Sequence, residues 1–195
     1  MESAGDLKTL LKEVCTQLKK KELQFCLAGG WAVSIIGTAR TTIDIDILIV
    51  LNDDIKKLVI SILEDSFHLI QSHENEMKFK TLSIWRNIVS LQKKGELFMI
   101  DFLIADTDYL KSIVERKIEI DYEGISIPVI PVEDLIILKL SSFRKQDEVD
   151  IENLLHSASP IDWEYLENTI KKLLLNWDYI EKIKNPAGGQ TFEKV

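Results

Sequence analysis

The feature that most constrains the fold of this chain is an apolar run, 97–104, that contains a single carboxylate, Asp101. Apolar neighbours on both sides of Asp101 predict a β-strand that is buried on both faces of a sheet. A lone buried carboxylate is costly in free energy unless a cation or hydrogen-bond donors accompany it. The run therefore predicts a central strand that carries a functional group. The alternative is an Asp101 that faces solvent at a sheet edge.

A second β-branched segment, 44–50, contains Asp44 and Asp46. The period of two along a strand places both carboxylates on one face. Two like charges at this spacing repel each other, and Mg²⁺ prefers carboxylate oxygens as ligands. If this strand lies beside the strand of Asp101, three carboxylates converge in a geometry suited to two metal ions. The alternative is a pair of solvated carboxylates at the entrance of a strand.

The remaining segments predict an α+β fold, with a mixed β-sheet and flanking helices followed by a C-terminal helical bundle. Helices are predicted at 6–20, 31–36, 54–65, 108–117, 131–143, 147–156 and 161–184, and strands at 25–28, 118–122 and 125–130. Only short β-like pieces are indicated within 67–96. We expect an α/β domain over 1–130, a helical region over 131–185 and a flexible tail over 186–195.

Composition narrows the functional classes. The chain has 195 residues and a net charge of −8, which disfavours a protein that coats nucleic acid. Cys15 and Cys26 have no zinc-type spacing, which indicates free thiols in a reducing compartment. The sequence indicates neither a signal peptide nor a membrane helix, so we expect a cytoplasmic protein.

One stretch, 77–95, runs against the acidic character of the chain, because it contains no acidic residue. Its cations are Lys78, Lys80, Arg86, Lys93 and Lys94. The simpler interpretation is a solvated hairpin or edge strand that lysines keep soluble. The alternative is a surface that contacts phosphate or an acceptor substrate.

Two further features of the sequence indicate possible contacts with an anion. Gly29 and Gly30 stand between a predicted strand and a predicted helix, where backbone N–H groups can approach a phosphate, although glycine pairs are also common in turns. Lys139 interrupts the apolar stripe of the helix at 131–143, so it requires an anion unless it extends to the rim. Asp147 and Asp150 also suit the capping of the following helix.

Together, these motifs resemble the polymerase β-like nucleotidyltransferase superfamily. The resemblance rests on the glycine turn in LAGG at 27–30, the RTTIDID segment at 40–46 and Asp101 on a later strand. The resemblance is greatest to the minimal group that includes AbiE-type nucleotidyltransferase toxins, which also have a helical lysine and a D-x-x-D, here Lys139 and 147–150.

The resemblance implies a catalytic and metal-binding role for three carboxylates. Asp44 and Asp46 would hold two ions of Mg²⁺, or Mn²⁺ in its place. Asp101 would complete the second ion's site and help to deprotonate the acceptor hydroxyl.

The resemblance also implies a nucleotide-binding set. The amides of Gly29 and Gly30, with Arg40 and Thr42, would hold the terminal phosphates of a nucleoside triphosphate (NTP), and Lys139 would contact the nucleotide too. Many relatives have a serine at the position of Gly30, and its hydroxyl binds phosphate. In this chain, only the backbone of Gly30 would contact the phosphate.

The implied activity is transfer of a nucleoside monophosphate to a hydroxyl with release of pyrophosphate. Acceptors consistent with the resemblance are tRNA, a protein or a small molecule such as an antibiotic, and a toxin of this type would have an antitoxin protein as partner. The alternative is a non-catalytic nucleotide-binding or protein-binding module that retains the fold.

Overall fold

The computed structural model of the chain describes residues 2–79, 82–92, 95–157 and 160–185. The chain divides into two compact units, Met1–Pro131 and Val132–Val195. The predicted flexible tail at 186–195 lies outside the described residues, as do Lys80, Lys93 and Lys94. No helix within the described ranges has the length and apolar character needed to cross a bilayer.

The first unit contains all the described strands and four helices. Its helices are α1 (Glu2–Lys20), α2 (Gly29–Ile36), α3 (Asp53–Ser66) and α4 (Asp108–Glu115). Its strands are β1 (Phe25–Leu27), β2 (Asp44–Ile49), β3 (His68–Ser72), β4 (Met77–Phe79), β5 (Leu82–Ser90), β6 (Leu97–Ile104), β7 (Ile118–Tyr122) and β8 (Ile125–Val129).

These strands form one mixed sheet in the order β3-β5-β6-β2-β1-β8-β7, with β4 paired to β5. Strand β2 runs parallel to β6 and antiparallel to β1. Strands β2 and β6 therefore lie at the centre, as the apolar run around Asp101 predicted. The α+β class with an open mixed sheet is confirmed.

The core of the first unit follows from the alternation of side chains along the central strands. Ile45, Ile47 and Ile49 of β2 are fully buried, as are Ile100 and Phe102 of β6. Because side chains alternate across a strand, the carboxylates of β2 and β6 lie on the opposite face. Burying the isoleucines thus fixes which face of the sheet presents the acidic groups.

The second unit consists of helices. They are α5 (Val132–Ser142), α6 (Lys145–Ser157), α7 (Trp163–Lys172) and α8 (Trp177–Lys184). The single helix expected over 161–184 is wrong, because Leu174 takes a positive φ of 55° and the side chain of Asn176 caps a new helix by accepting the Tyr179 N–H. Phe143, expected inside the stripe of α5, follows the end of that helix and is 39% exposed.

We predict that the two thiols of the folded protein are inert. Cys15 and Cys26 are buried and unbridged, and burial raises the pKa of Cys15 to about 12. Only the thiolate is nucleophilic, so a disulfide reagent at about pH 8 should label neither thiol in the native protein and both in concentrated urea. Rapid labelling of native protein, followed by its absorbance, would contradict the burial of these residues.

Candidate active site

The pairing of β2 with β6 brings the three predicted carboxylates together. Asp46 lies directly opposite Asp101 in this parallel pair, and Asp44 stands two residues before Asp46 on the same face. One carboxylate oxygen from each of the three lies within 4.8 Å of the others. Asp101 is 3% exposed, whereas Asp44 and Asp46 are half-buried. The cluster is thus open on the side of β2 and closed at β6.

The glycine turn lies against Asp46 because of the antiparallel pairing of β1 with β2. The N–H of Ala28 donates to the carbonyl of Asp46 at 2.8 Å, so the next residue, Gly29, falls beside the Asp46 side chain. Gly29 has a φ of +57°, and a Cβ atom there would lie 2.5 Å from Cγ of Asp46. Only glycine combines this backbone conformation with so close an approach.

The loop after α2 returns to the second glycine. Ser34 Oγ donates to the carbonyl of Gly30 at 3.0 Å and accepts from the N–H of Arg40 at 3.3 Å, which ties the loop to the helix. A Cβ atom on Gly30 would lie 2.6 Å from Thr42 Oγ1 and 2.7 Å from an Arg40 guanidinium nitrogen. Thr42 Oγ1 also donates to Asp44 Oδ1 at 3.0 Å. Arg40 and Thr42 therefore lie over Gly30, and Thr42 orients Asp44.

These features suit a nucleotide and a divalent cation. Helix α2 begins at Gly29 after Ala28, which has no side-chain group to cap the first N–H groups. An N-terminus of this kind favours an anion. Three clustered carboxylates supply hard oxygen donors, the ligand type that Mg²⁺ and Mn²⁺ take. The residues present fit the predicted metal and phosphate groups.

Arg86 completes the cluster and was not identified from the sequence as part of it. It lies opposite Asp101 in the antiparallel pair β5·β6. Its Nε donates to Asp101 Oδ1 at 2.8 Å and its Nη2 to Oδ2 at 2.6 Å, a bidentate ion pair. The hydrogen bond to Asp101 raises the pKa of Arg86 against the opposing effect of desolvation, and the charges of Asp44 and Asp46 add to the rise.

Lys78, the other cation of the basic stretch that the structure describes, does not share this face. Lys78 pairs in register with Ser83, and Arg86 is three residues beyond Ser83 on β5. Cross-strand partners share a face and successive residues alternate, so Lys78 and Arg86 point to opposite sides of the sheet. These two described cations therefore do not form one basic surface.

In the second unit, Lys139 has carboxylate partners. Its Nζ donates to Asp150 Oδ2 at 2.6 Å and lies 3.4 Å from Asp147 Oδ1, and all three side chains are buried. The anion that a buried ammonium requires is thus supplied by the D-x-x-D segment itself. The contact between Lys139 and a nucleotide stays a prediction.

Asp147 also holds the start of α6. It accepts hydrogen bonds from the Arg144 backbone N–H at 2.9 Å, from the Arg144 side chain and from Ser142 Oγ. The backbone bond is the reciprocal arm of a capping box, as the capping interpretation expected. Burial would raise the pKa of Asp147, but the hydrogen bonds from Arg144 and Ser142 outweigh it and lower the pKa to about 2.

A protein family and several solved structures resemble this chain. A family model described as "Nucleotidyltransferase of unknown function (DUF6036)" matches residues 5–185. No curated protein sequence matches the chain significantly.

Solved structures show the same fold. An H. pylori protein described as a candidate nucleotidyltransferase superimposes with a TM-score of 0.59 at 16% identity, covering 93% of this chain and 78% of its own. An antigenic nucleotidyltransferase-like protein from Paracoccidioides brasiliensis gives 0.55 at 16% identity, with 92% and 93% covered. JHP933 from Helicobacter pylori gives 0.52 at 15% identity, with 89% and 74% covered.

We predict that Gly29→Ala destabilises the protein more than its backbone conformation alone explains. Gly124 is the matched control, because its φ is +83° and a Cβ atom there would meet nothing within 4 Å. Gly124→Ala should lower the free energy of unfolding by about 1 kcal/mol. Gly29→Ala should cost about 1–3 kcal/mol more, since Asp46 must move. Equal costs in urea denaturation would contradict the close approach to Asp46.

We also predict an acid-sensitive contribution from Asp147. Its folded pKa of about 2 lies below the ordinary 3.8, so below about pH 4 the unfolded chain binds a proton that the folded one does not. The free energy of unfolding should therefore fall as the pH falls from about 4 to 2, and fall less in Asp147→Asn. Asp178→Asn, an exposed carboxylate in the same unit, is the control in pH-dependent urea titrations. Equal declines in wild type and Asp147→Asn would contradict the assignment.

Proposed function

This chain belongs to the nucleotidyltransferase family DUF6036, and on that premise we propose that it transfers a nucleoside monophosphate from an NTP to a hydroxyl acceptor, releasing pyrophosphate. The observation that carries the proposal is the convergence of Asp44, Asp46 and Asp101, with ligand oxygens within 4.8 Å of one another. The glycine turn beside this cluster would bind the phosphates of the nucleotide.

The phosphate-binding part consists of backbone and side-chain donors at the start of α2. The amides of Gly29 and Gly30 would bind phosphate oxygens, aided by the helix N-terminus. Arg40, whose guanidinium lies over Gly30, would add charge to the same phosphates. The hydroxyl of Thr42 orients Asp44 by donating to its carboxylate, and we propose that it also contacts a phosphate. Lys139 is a further proposed contact, in addition to its ion pairs with Asp147 and Asp150.

The chemistry assigned to the carboxylates follows from their donor type. Mg²⁺ or Mn²⁺ held by Asp44, Asp46 and Asp101 would supply positive charge next to the α-phosphate. In the transfer, the acceptor oxygen bonds to the α-phosphorus while the bond from that phosphorus to the pyrophosphate oxygen breaks. Asp101, the most buried of the three, would help to take the proton of the acceptor hydroxyl.

The acceptor defines the biological role. We propose tRNA, a protein side chain or a small molecule such as an antibiotic as acceptor classes. A toxin activity countered by an antitoxin protein would accompany the first two. Among the described residues of the basic stretch, Lys78 and Arg86 point to opposite sides of the sheet, and the net charge of −8 disfavours a nucleic-acid acceptor, so a protein or small molecule is preferred.

We predict that Asp44→Asn and Asp46→Asn each abolish transfer while the chain stays folded. Either change replaces a charged carboxylate ligand with a neutral amide that binds a divalent cation more weakly, so labelling should fall by about a hundredfold or more. The assay is incubation with each α-labelled NTP, Mg²⁺, total RNA and cell lysate, followed by gel separation of labelled RNA and protein and chromatography of small molecules.

The control is Asp54→Asn, since the side chain of Asp54 is 93% exposed and its Oδ1 lies 3.7 Å from Nζ of the exposed Lys57. Mg²⁺-dependent labelling that persists in both active-site variants would contradict the proposal. Calorimetry that detects NTP binding by a wild type that labels no acceptor would favour the non-catalytic module.

A further inference from the structure

Arg86 occupies a position that the proposed chemistry does not use. It stands in one row with Asp101 and Asp46 across β5, β6 and β2, because Arg86 is opposite Asp101 and Asp101 is opposite Asp46. All three side chains lie on one face of the sheet. The guanidinium of Arg86 is therefore a positively charged member of the carboxylate cluster.

The contact engages both oxygens of Asp101. Each oxygen accepts one N–H, at 2.8 Å and 2.6 Å, and the Asp101 side chain is 4% exposed while that of Arg86 is 32% exposed. A planar guanidinium fork fixes the plane of the carboxylate as well as its charge. Asp101 is thus held in one orientation from the closed side of the cluster, and its remaining lone pairs are left for another ligand.

The charge of Arg86 acts differently on two kinds of ligand. A cluster of three carboxylates attracts a bare divalent cation and repels a metal–NTP complex, whose net charge is negative. A fixed guanidinium within the cluster opposes both effects. It lowers the affinity for the bare cation and raises the affinity for the complex.

We propose that Arg86 is a positioning residue that holds Asp101 and makes the site select a divalent cation bound to an NTP over the free cation. This inference rests on the proposed function, because it assumes that the cluster binds a metal–NTP complex. Its consequence is that the two affinities respond to Arg86 in opposite directions. Loss of packing alone would weaken both.

The test is a pair of binding measurements on the full-length protein without acceptor. Free Mn²⁺ is titrated by electron paramagnetic resonance, and Mn²⁺ with each of the four NTPs is titrated by calorimetry. In Arg86→Gln we expect free Mn²⁺ to bind about tenfold tighter and the best Mn²⁺–NTP complex about tenfold weaker. Arg86→Lys keeps the charge but loses the planar fork, so we expect free Mn²⁺ to bind within about threefold of wild type and the Mn²⁺–NTP complex to bind more weakly than in wild type but less weakly than in Arg86→Gln.

The control for loss of one positive charge is Arg116→Gln. Arg116 is exposed at the end of α4 and donates to Ser112 Oγ at 2.9 Å. We expect both affinities of this variant to match wild type. If Arg86→Gln fails to fold by circular dichroism, Arg86→Met, which retains the aliphatic stem, replaces it with the same expectations.

The outcomes separate the inference from its premise. A wild type that binds no Mn²⁺–NTP complex overturns the proposed function, and the inference with it. A wild type that binds the complex, with affinities in Arg86→Gln that are unchanged or shifted in the same direction, overturns the role of Arg86 alone. Tighter binding of free Mn²⁺ together with weaker binding of the complex supports it, and the reverse pair of shifts overturns it.

Discussion

The closeness of three carboxylates, which repel one another, is the constraint on which the rest of the site depends. Asp44, Asp46 and Asp101 cannot separate, because the backbone hydrogen bonds of β2 and β6 hold their strands in register. The neighbouring structure lessens the repulsion: Arg86 neutralises part of the charge and Thr42 donates to Asp44. The three carboxylates outnumber the single guanidinium of Arg86, and a divalent cation at the site would further offset the charges that repel one another.

The elements that the sequence revealed are those whose burial agrees with their hydrophobicity. The run around Asp101 reads as a buried central strand and is one. Strand β5 was indicated only in part, as a short β-like piece within 67–96, because Asn87 is fully buried while Ile84 and Ile88 on the other face are half-buried. Because a polar residue is buried and apolar residues are partly exposed, β5 lacks the alternation of apolar and polar residues that identifies a strand in a sequence. The role of Arg86 depends on the register between β5 and β6, which no local pattern encodes.

The second unit shows the same limit of local reasoning. Lys139 was recognised as out of place in an apolar stripe, yet its partners, Asp147 and Asp150, were assigned mainly to capping. The link depends on how α5 and α6 pack, since one ammonium meets carboxylates from the next helix. Likewise, the apolar residues around Leu174 suggested one continuous helix, whereas Leu174 itself is 92% exposed at the break.

The parallel pairing of β2 with β6 has a consequence for biosynthesis. Asp46 and Asp101 are far apart in the sequence, so the loop between them must close before either strand gains its central neighbour, and contacts of such long range form slowly. A nascent chain that has not yet exposed β6 outside the ribosome contains the glycine turn and two aspartates but no assembled cluster. Activity of this kind would therefore be withheld from the growing polypeptide until most of the first unit has been translated.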